Sequence, residues 1–235
     1  MRYTALAVDY DGTLAWDGVV SDDTLAALER LVASGRRLIL VTGRELPDLV
    51  QVFPQHEIFE RIVAENGALL YRPATHEEKL LGEEPPKAFI AALRTRGVEP
   101  LSTGRSIVAT TTHHESTVVE VIRSLGLDLH IVLNKGSVMV LPSGVNKGTG
   151  LMAALVEIGL SPRNVVGVGD AENDHAFLAL CECSVAVANG LPLLKDRVDV
   201  VTKGARGDGV RELIDELLED DLRRYESRLT RHDIV

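Results

Sequence analysis

Short apolar runs and amphipathic stretches take turns along the first third of the chain. Residues 3–8 (YTALAV) form one run, mostly apolar and without strict alternation, the pattern of a strand buried on both faces. Residues 21–35 (SDDTLAALERLVASG) place Leu25, Leu28 and Leu31 at helical spacing. Ser21 or Asp22 can cap that helix, acidic residues suit its first turn, and Gly35 ends it. Residues 36–44 (RRLILVTGR) read as a second buried strand running into a glycine turn, and ELPDLVQVF opens a short helix. Residues 61–72 (RIVAENGALLYR) hold a third strand, an Asn-Gly turn and a further short strand. This β-α-β-α-β order with short connections predicts a parallel sheet with crossover helices.

From about Pro73 to Val145 the rhythm changes. EEPPKAFIAALRTRG predicts a helix behind a proline brake. A weak strand near VEPLS, a clearer one from Ser106, and a helix at STVVEVIRSLG follow. LHIVLN and SVMVLP are two strands joined by a Lys135-Gly136 turn. The order α-β-β-α-β-β suits a small α+β unit with two helices on one face of a sheet. The first pattern then resumes with a helix at 146–159 (NKGTGLMAALVEIG) and a strand at 164–170 (NVVGVGD). NDHAFLALC predicts a helix, SVAVANG a strand, LPLLKD a short helix and VDVVT a final strand. GVRELIDELLEDDLRRYESRL predicts a C-terminal helix. The expected fold class is therefore α/β, a core of residues 1–73 and 145–235 interrupted by an inserted α+β domain, residues 74–144. The last residues, RLTRHDIV, suit either a frayed end or a chain that continues into a fused domain.

Composition narrows the function. At 235 residues with 45% hydrophobic and 26% charged, the chain has an ordinary soluble balance. A net charge of −10 argues against binding nucleic acid through the overall field. No stretch approaches the length of an apolar membrane span, and the first apolar run ends at Asp9, too early for a signal peptide. Cys181 and Cys183, in CEC, fit neither a disulfide framework nor a four-ligand zinc site and read as small hydrophobes. A reducing, cytoplasmic setting, no membrane partner and a monomer or homodimer are the expectations.

The candidate chemistry begins at residues 9–14, DYDGTL. In an extended segment Asp9 and Asp11 point the same way, and Gly12 lets the chain turn. Both carboxylates then sit at the C-terminal mouth of a central strand, the edge where open α/β sheets bind ligands. Thr42–Arg44 and Asp170–Asp174 leave other strand ends at that edge, and Lys147 opens the helix after the insertion. Carboxylates, a hydroxyl and an ammonium so collected suit a phosphate and a divalent metal, Mg²⁺ by preference for oxygen ligands. Asp9 and Asp170 can supply carboxylates and Asp11 a backbone carbonyl. Asp174 and Asn173, a helical turn beyond Asp170, can orient metal and water. An Asp carboxylate can also attack phosphorus, with Asp11 as the neighbouring acid and base. Thr42 and the Gly43 backbone can hold a phosphoryl oxygen, and Lys147 can offset the charge.

DYDGTL, then TGR, then a lone lysine, then GDAEND resembles the haloacid dehalogenase superfamily of phosphatases. The resemblance implies a Rossmann-like core and Mg²⁺ at Asp9, Asp11, Asp170 and Asp174. It further implies Asp9 as nucleophile, Asp11 as acid/base, Thr42 as the second-motif hydroxyl and Lys147 as the family's lysine. GVNKG (144–148) and ENGA (65–68) resemble the Cof-like branch, and the α-β-β-α-β-β insertion its minimal cap. The chain's size is similar to phosphoglycolate, sucrose-phosphate and mannosyl-phosphoglycerate phosphatases of that branch. Tyr10 departs from the aliphatic residue usual there; facing opposite to Asp9 and Asp11, it should alter packing rather than chemistry.

The resemblance implies a phosphomonoesterase acting on a small phosphorylated metabolite, a sugar phosphate or phosphoglycolate. A phosphomutase, or a regulatory module of a larger protein acting on nucleic-acid phosphate ends, are the alternatives. Arg44 can reach the substrate phosphate or pair with the following helix. Lys135 and His114, with its neighbour His113, are candidate substrate contacts from the insertion. Glu65-Asn66 can read substrate or hinge the insertion, and Trp16 can shield the site or anchor its loop.

Overall fold

The first strand sets the layering. In the computed structural model, which describes residues 1–225, β1 spans Ala5–Val8 and is buried throughout. Leu6 and Val8 enter one hydrophobic core, Ala5 and Ala7 the other, as the two-residue period of a strand requires. β2 (Arg37–Val41) repeats the division, with Leu38 and Leu40 on one face and Ile39 and Val41 on the other. On the first face lie α1 (Asp22–Ala33), through Leu28 and Leu31, and α8 (Gly207–Asp220), through Leu213, Ile214 and Leu217. On the second lie α5 (Lys147–Ile158), α6 (His175–Leu178) and α7 (Pro192–Lys195), through Leu151, Leu155, Phe177 and Leu194. Ser21 caps α1 by accepting the Thr24 N–H.

The remaining core strands are β3 (Arg61–Ala64), β4 (Leu69–Arg72), β5 (Glu77–Leu80), β10 (Val165–Gly169), β11 (Cys183–Ala186) and β12 (Val200–Val201). The sheet runs β12-β11-β10-β1-β2-β3-β4-β5, parallel from β12 to β3 and antiparallel at β4 and β5. β1 lies between β10 and β2, with Ala5 opposite both Val165 and Arg37. The chain reverses order here, so the segments leaving β1, β2 and β10 converge on one crevice.

Between β5 and α5 comes a second sheet. It contains β6 (Ser102–Thr103), β7 (Val108–Thr111), β8 (Leu129–Asn134) and β9 (Ser137–Pro142), in the order β6-β7-β9-β8, antiparallel throughout. Its helices, α3 (Lys87–Thr95) and α4 (Glu115–Ser124), close a small core around Phe89, Leu93, Val118 and Val140. On the sheet's other side Met139 and Leu141 meet Ala68 of the larger unit.

Two elements differ from expectation. β5 extends the large sheet past residue 73, where its residues EEKL are exposed at every position and so carry no apolar signal. The C-terminal helix stops at Asp220, short of the run expected through 229. Asp221 and Leu222 turn left-handed there, and buried Arg36 donates to the Leu217 carbonyl at 2.9 Å and to Asp221 at 3.0 Å. The RLTRHDIV segment lies outside the described residues. Among them, no helix is long and apolar enough to cross a membrane. Cys181 and Cys183 are buried free thiols, both pushed up by burial, Cys183 to about 12.

The seat of α5 is tight. A Cβ on Gly150 would lie 2.4 Å from Val63 Cγ1 and 2.7 Å from the Gly67 Cα. Gly67, at φ +109°, would place a Cβ 2.0 Å from the Asn146 carbonyl oxygen. Gly150→Ala is expected to cost about 1–3 kcal/mol by forced repacking, read as a lower urea midpoint at unchanged slope.

Candidate functional site

Asn146 builds the centre of the site by fixing the start of α5. Its side chain accepts N–H bonds from Gly148 at 2.9 Å and Thr149 at 3.1 Å, and the Thr149 hydroxyl answers with a capping box. Lys147 therefore enters at the first helical position, 1% exposed. Its ammonium donates to Asp9 Oδ1 at 2.5 Å and to Asp174 Oδ1 at 2.7 Å. Asp174 Oδ2 accepts the N–H groups of Asp170 at 2.8 Å and Ala171 at 2.9 Å. Asp174 thus spends both oxygens on the lysine and on the loop that carries Asp170.

Asp9, Asp170 and Asp174 each bring a carboxylate oxygen within 4.8 Å of the others, all buried. Burial pushes Asp9 above the usual carboxylate range, and Asp174 adds to it, while Lys147 opposes. Burial alone would lower Lys147, but Asp174 and Asp9 hold it above its ordinary value. Asp170 is also raised by burial, against the pull of Lys135.

Lys135 comes from the tip of the β8–β9 hairpin, where Lys135 (φ +45°) and Gly136 (φ +85°) make a two-residue turn. Its Nζ donates to the Asp11 carbonyl at 2.8 Å and to Asp170 Oδ2 at 2.7 Å. Those oxygens already converge on a positive charge, and the ammonium there stands in for a cation. With Asp9 they form an all-oxygen donor set of the kind Mg²⁺ prefers, so the residues present fit that ion. A cavity of about 250 Å³ is bounded by Asp9, Gly43, Asn173 and the hairpin residues Asn134, Ser137 and Met139.

The chain matches the family described as haloacid dehalogenase-like hydrolase over residues 6–101 and 106–214. It belongs to that family. It is 30% identical over 218 residues to the phosphoglycolate phosphatase of Methanothermobacter thermautotrophicus, covering 89% of this chain and 96% of that one. It is 31% identical over 219 residues to the phosphoglycolate phosphatase of Haloarcula marismortui, covering 89% and 95%. A haloacid dehalogenase-like hydrolase from Bacteroides thetaiotaomicron superposes with a TM-score of 0.78 at 20% identity, over 92% of this chain and all (100%) of that one. A HAD/COF-like hydrolase from Plasmodium vivax gives 0.80 at 18% identity, over 93% and 96%. The chain is thus a phosphatase-type member of the haloacid dehalogenase-like hydrolases.

Within this hydrolase, Asp9, Lys147, Asp170 and Asp174 meet directly. Asp11 contributes its carbonyl to that centre, while its carboxylate turns to Arg44, which donates from Nε at 2.7 Å and Nη2 at 2.8 Å. Arg44 also pairs with Asp48 on α2 (Leu46–Val52) at 2.6 Å, so the helix-pairing reading holds, joined by an unforeseen contact with Asp11. Thr42 is fully buried and accepts the Arg44 N–H at 3.1 Å. Asn173 donates to Asn66 at 3.0 Å. Tyr10 packs against Phe53, its hydroxyl on the Gly18 carbonyl at 2.8 Å, and its ring lies under the Arg44 guanidinium, 5.3 Å from the centroid.

His114 is not brought to the site. Its Nε2 lies 2.9 Å from the Glu99 carbonyl oxygen inside the inserted unit, and neither His114 nor His113 lines the cavity beside Asp9. The histidine pair looked chemical in sequence because a turn places polar residues side by side. Glu65 ties the larger unit to the inserted one. Fully buried, its carboxylate accepts N–H groups from Arg105 at 2.9 Å, Ser106 at 2.8 Å and Ile107 at 3.1 Å. Met139 and Ser137 were missed; as ordinary strand residues they carry no chemical signal of their own.

Lys147→Met is expected to leave Asp9 and Asp174 buried without their cation. The loss should be about 3–5 kcal/mol of folding stability, measured by chemical denaturation in metal-free buffer.

Proposed function

We propose that the chain is a magnesium-dependent phosphomonoester hydrolase working through an aspartyl-phosphate on Asp9. Its substrate is a small phosphorylated metabolite, of the sugar phosphate or phosphoglycolate class. The observation that carries this reading is the Asp9 carboxylate, buried at a parallel-sheet crevice, gripped by Lys147 and set beside the oxygens of Asp170 and the Asp11 carbonyl. The names of the relatives support the substrate class.

In the first step an Asp9 carboxylate oxygen attacks phosphorus as the bond to the leaving oxygen breaks. Lys147 keeps Asp9 oriented, and the Gly43 N–H with the Thr42 hydroxyl receives a phosphoryl oxygen. Asp11 delivers a proton to the departing alkoxide, which requires its carboxyl to part from Arg44; the guanidinium can then pass to the phosphoryl group. In the second step Asp11 takes a proton from water, which attacks phosphorus, and the bond to Asp9 breaks. The products are an alcohol and inorganic phosphate. Asp9, Asp170 and the Asp11 carbonyl would hold Mg²⁺, which supplies neutralisation of phosphoryl charge. Asp174 acts as the anchor of loop and lysine. Residues 83–144 serve as the cap, whose hairpin shields the reacting centre from water.

Asp9→Asn is expected to abolish turnover with the circular dichroism spectrum unchanged. Chelation should silence the wild-type enzyme and Mg²⁺ restore it. After rapid quench with labelled substrate, peptide mapping should place phosphate on Asp9; label on any other residue refutes the assignment.

Lys135 and Mg²⁺ compete for the same oxygens. Calorimetric titration of Lys135→Met with Mg²⁺, without substrate, should show affinity tightened by up to about fivefold, the scale of a half-exposed ion pair. Weaker binding would make Lys135 a supporter of the metal site instead.

A further inference from the structure

A second cavity, of about 440 Å³, shares Asp11, Arg44, Lys135 and Asp170 with the first and adds Trp16, Asp17, Asn189 and Arg206. Three cations line it, and two are committed. Arg44 is held by Asp11 and Asp48, and Lys135 by Asp170. Among the described residues Arg206 has no carboxylate within ion-pair distance. Its guanidinium lies over the Trp16 ring, 4.7 Å from the centroid. Trp16 itself is 64% exposed.

The backbone that delivers Arg206 is strained. Its φ of +52° and ψ of −135° fall in a region that residues with a Cβ rarely adopt, although glycines stand close by at 204 and 207. A specific chain of bonds holds it. The Arg206 N–H donates to Asn189 Oδ1 at 2.7 Å, and Asn189 Nδ2 donates to the Gly12 carbonyl at 2.8 Å. Gly12 follows Asp11 directly, so the arginine is positioned from the reacting loop itself. A side chain held at a glycine-like position over an exposed aromatic, with no carboxylate paired to it among the described residues, leaves guanidinium N–H groups for an incoming anion. The planar guanidinium fork matches the two oxygens of a carboxylate.

We propose that Trp16 and Arg206 form a second anion subsite, which takes the carboxylate of a small phosphomonoester while its phosphoryl group lies at Asp9. This rests on the phosphomonoesterase reading and adds to it a residue that selects the substrate. The subsite lies on the core, so selection does not reside in the inserted unit alone.

Trp16 is the sole tryptophan of the chain, so its emission reports on this subsite without a label. The experiment titrates Asp9→Asn protein, with Mg²⁺, against 2-phosphoglycolate and against 2-hydroxyethyl phosphate, which lacks the carboxylate. Phosphoglycolate is expected to change the emission saturably and to bind about tenfold tighter or better. Adding Arg206→Gln or Arg206→Gly should bring the ratio of the two dissociation constants close to one. Arg206→Gly also relieves the strained backbone, so its melting temperature should hold or rise. A ratio unchanged in both variants overturns the subsite, and a fall in melting temperature with the ratio intact assigns Arg206 to structure. Saturable binding of neither ester by calorimetry defeats the phosphomonoesterase reading, and the subsite with it.

Discussion

One ammonium group organises the centre of this molecule. Lys147 is buried between Asp9 and Asp174, and each partner belongs to a different segment of the chain. A buried charge is tolerated only when it is paired and hydrogen-bonded. Two carboxylates on one cation leave a negative remainder, so the cluster is electrostatically incomplete with protein alone. Burial holds Asp9 above the usual carboxylate range, and that remainder adds to it. The hairpin lysine answers it in part, at the edge of the cluster.

The architecture serves this constraint. β1 lies at the centre of the parallel strands and delivers Asp9, and its two neighbours deliver Thr42 and Asp170. Small residues on the α5 side, Ala5 and Ala7, let that helix lie close to the sheet, and Gly67 against Gly150 brings its first turn closer still. The chain departs for the second sheet after β5 and returns at Val145, two residues before the lysine. An insertion at this point leaves the central strands uninterrupted and places its own hairpin tip at their ends.

Much of this was legible in the sequence because the core obeys local rules. Buried parallel strands are continuous apolar runs, and Asp9, Thr42 and Asp170 stand where such runs end, while Lys147 follows the Asn cap of a helix. What was not legible depended on partners distant in the chain. β5 has no apolar face, and only pairing with β4 makes it a strand. The end of α8 is set by Arg36, some 185 residues from Asp221. That Arg44 can pair with the helix following it was legible, but its grip on Asp11 needed the sheet to bring two loops together. His113 and His114 showed the opposite failure, since a reactive residue type carries no information about the direction its turn faces.

The Glu65 carboxylate gives the second sheet a fulcrum. It grips the chain at residues 105–107, beside the start of β7, whose Val108 pairs with Val140. From Leu141 to the hairpin tip is about six residues, or roughly 20 Å of extended chain. A swing of about ten degrees around the fulcrum then carries the tip about 3 Å, more than the length of either bond that Lys135 makes. Tied down at that end, the sheet would need only so small a rotation to part both contacts of the Lys135 ammonium.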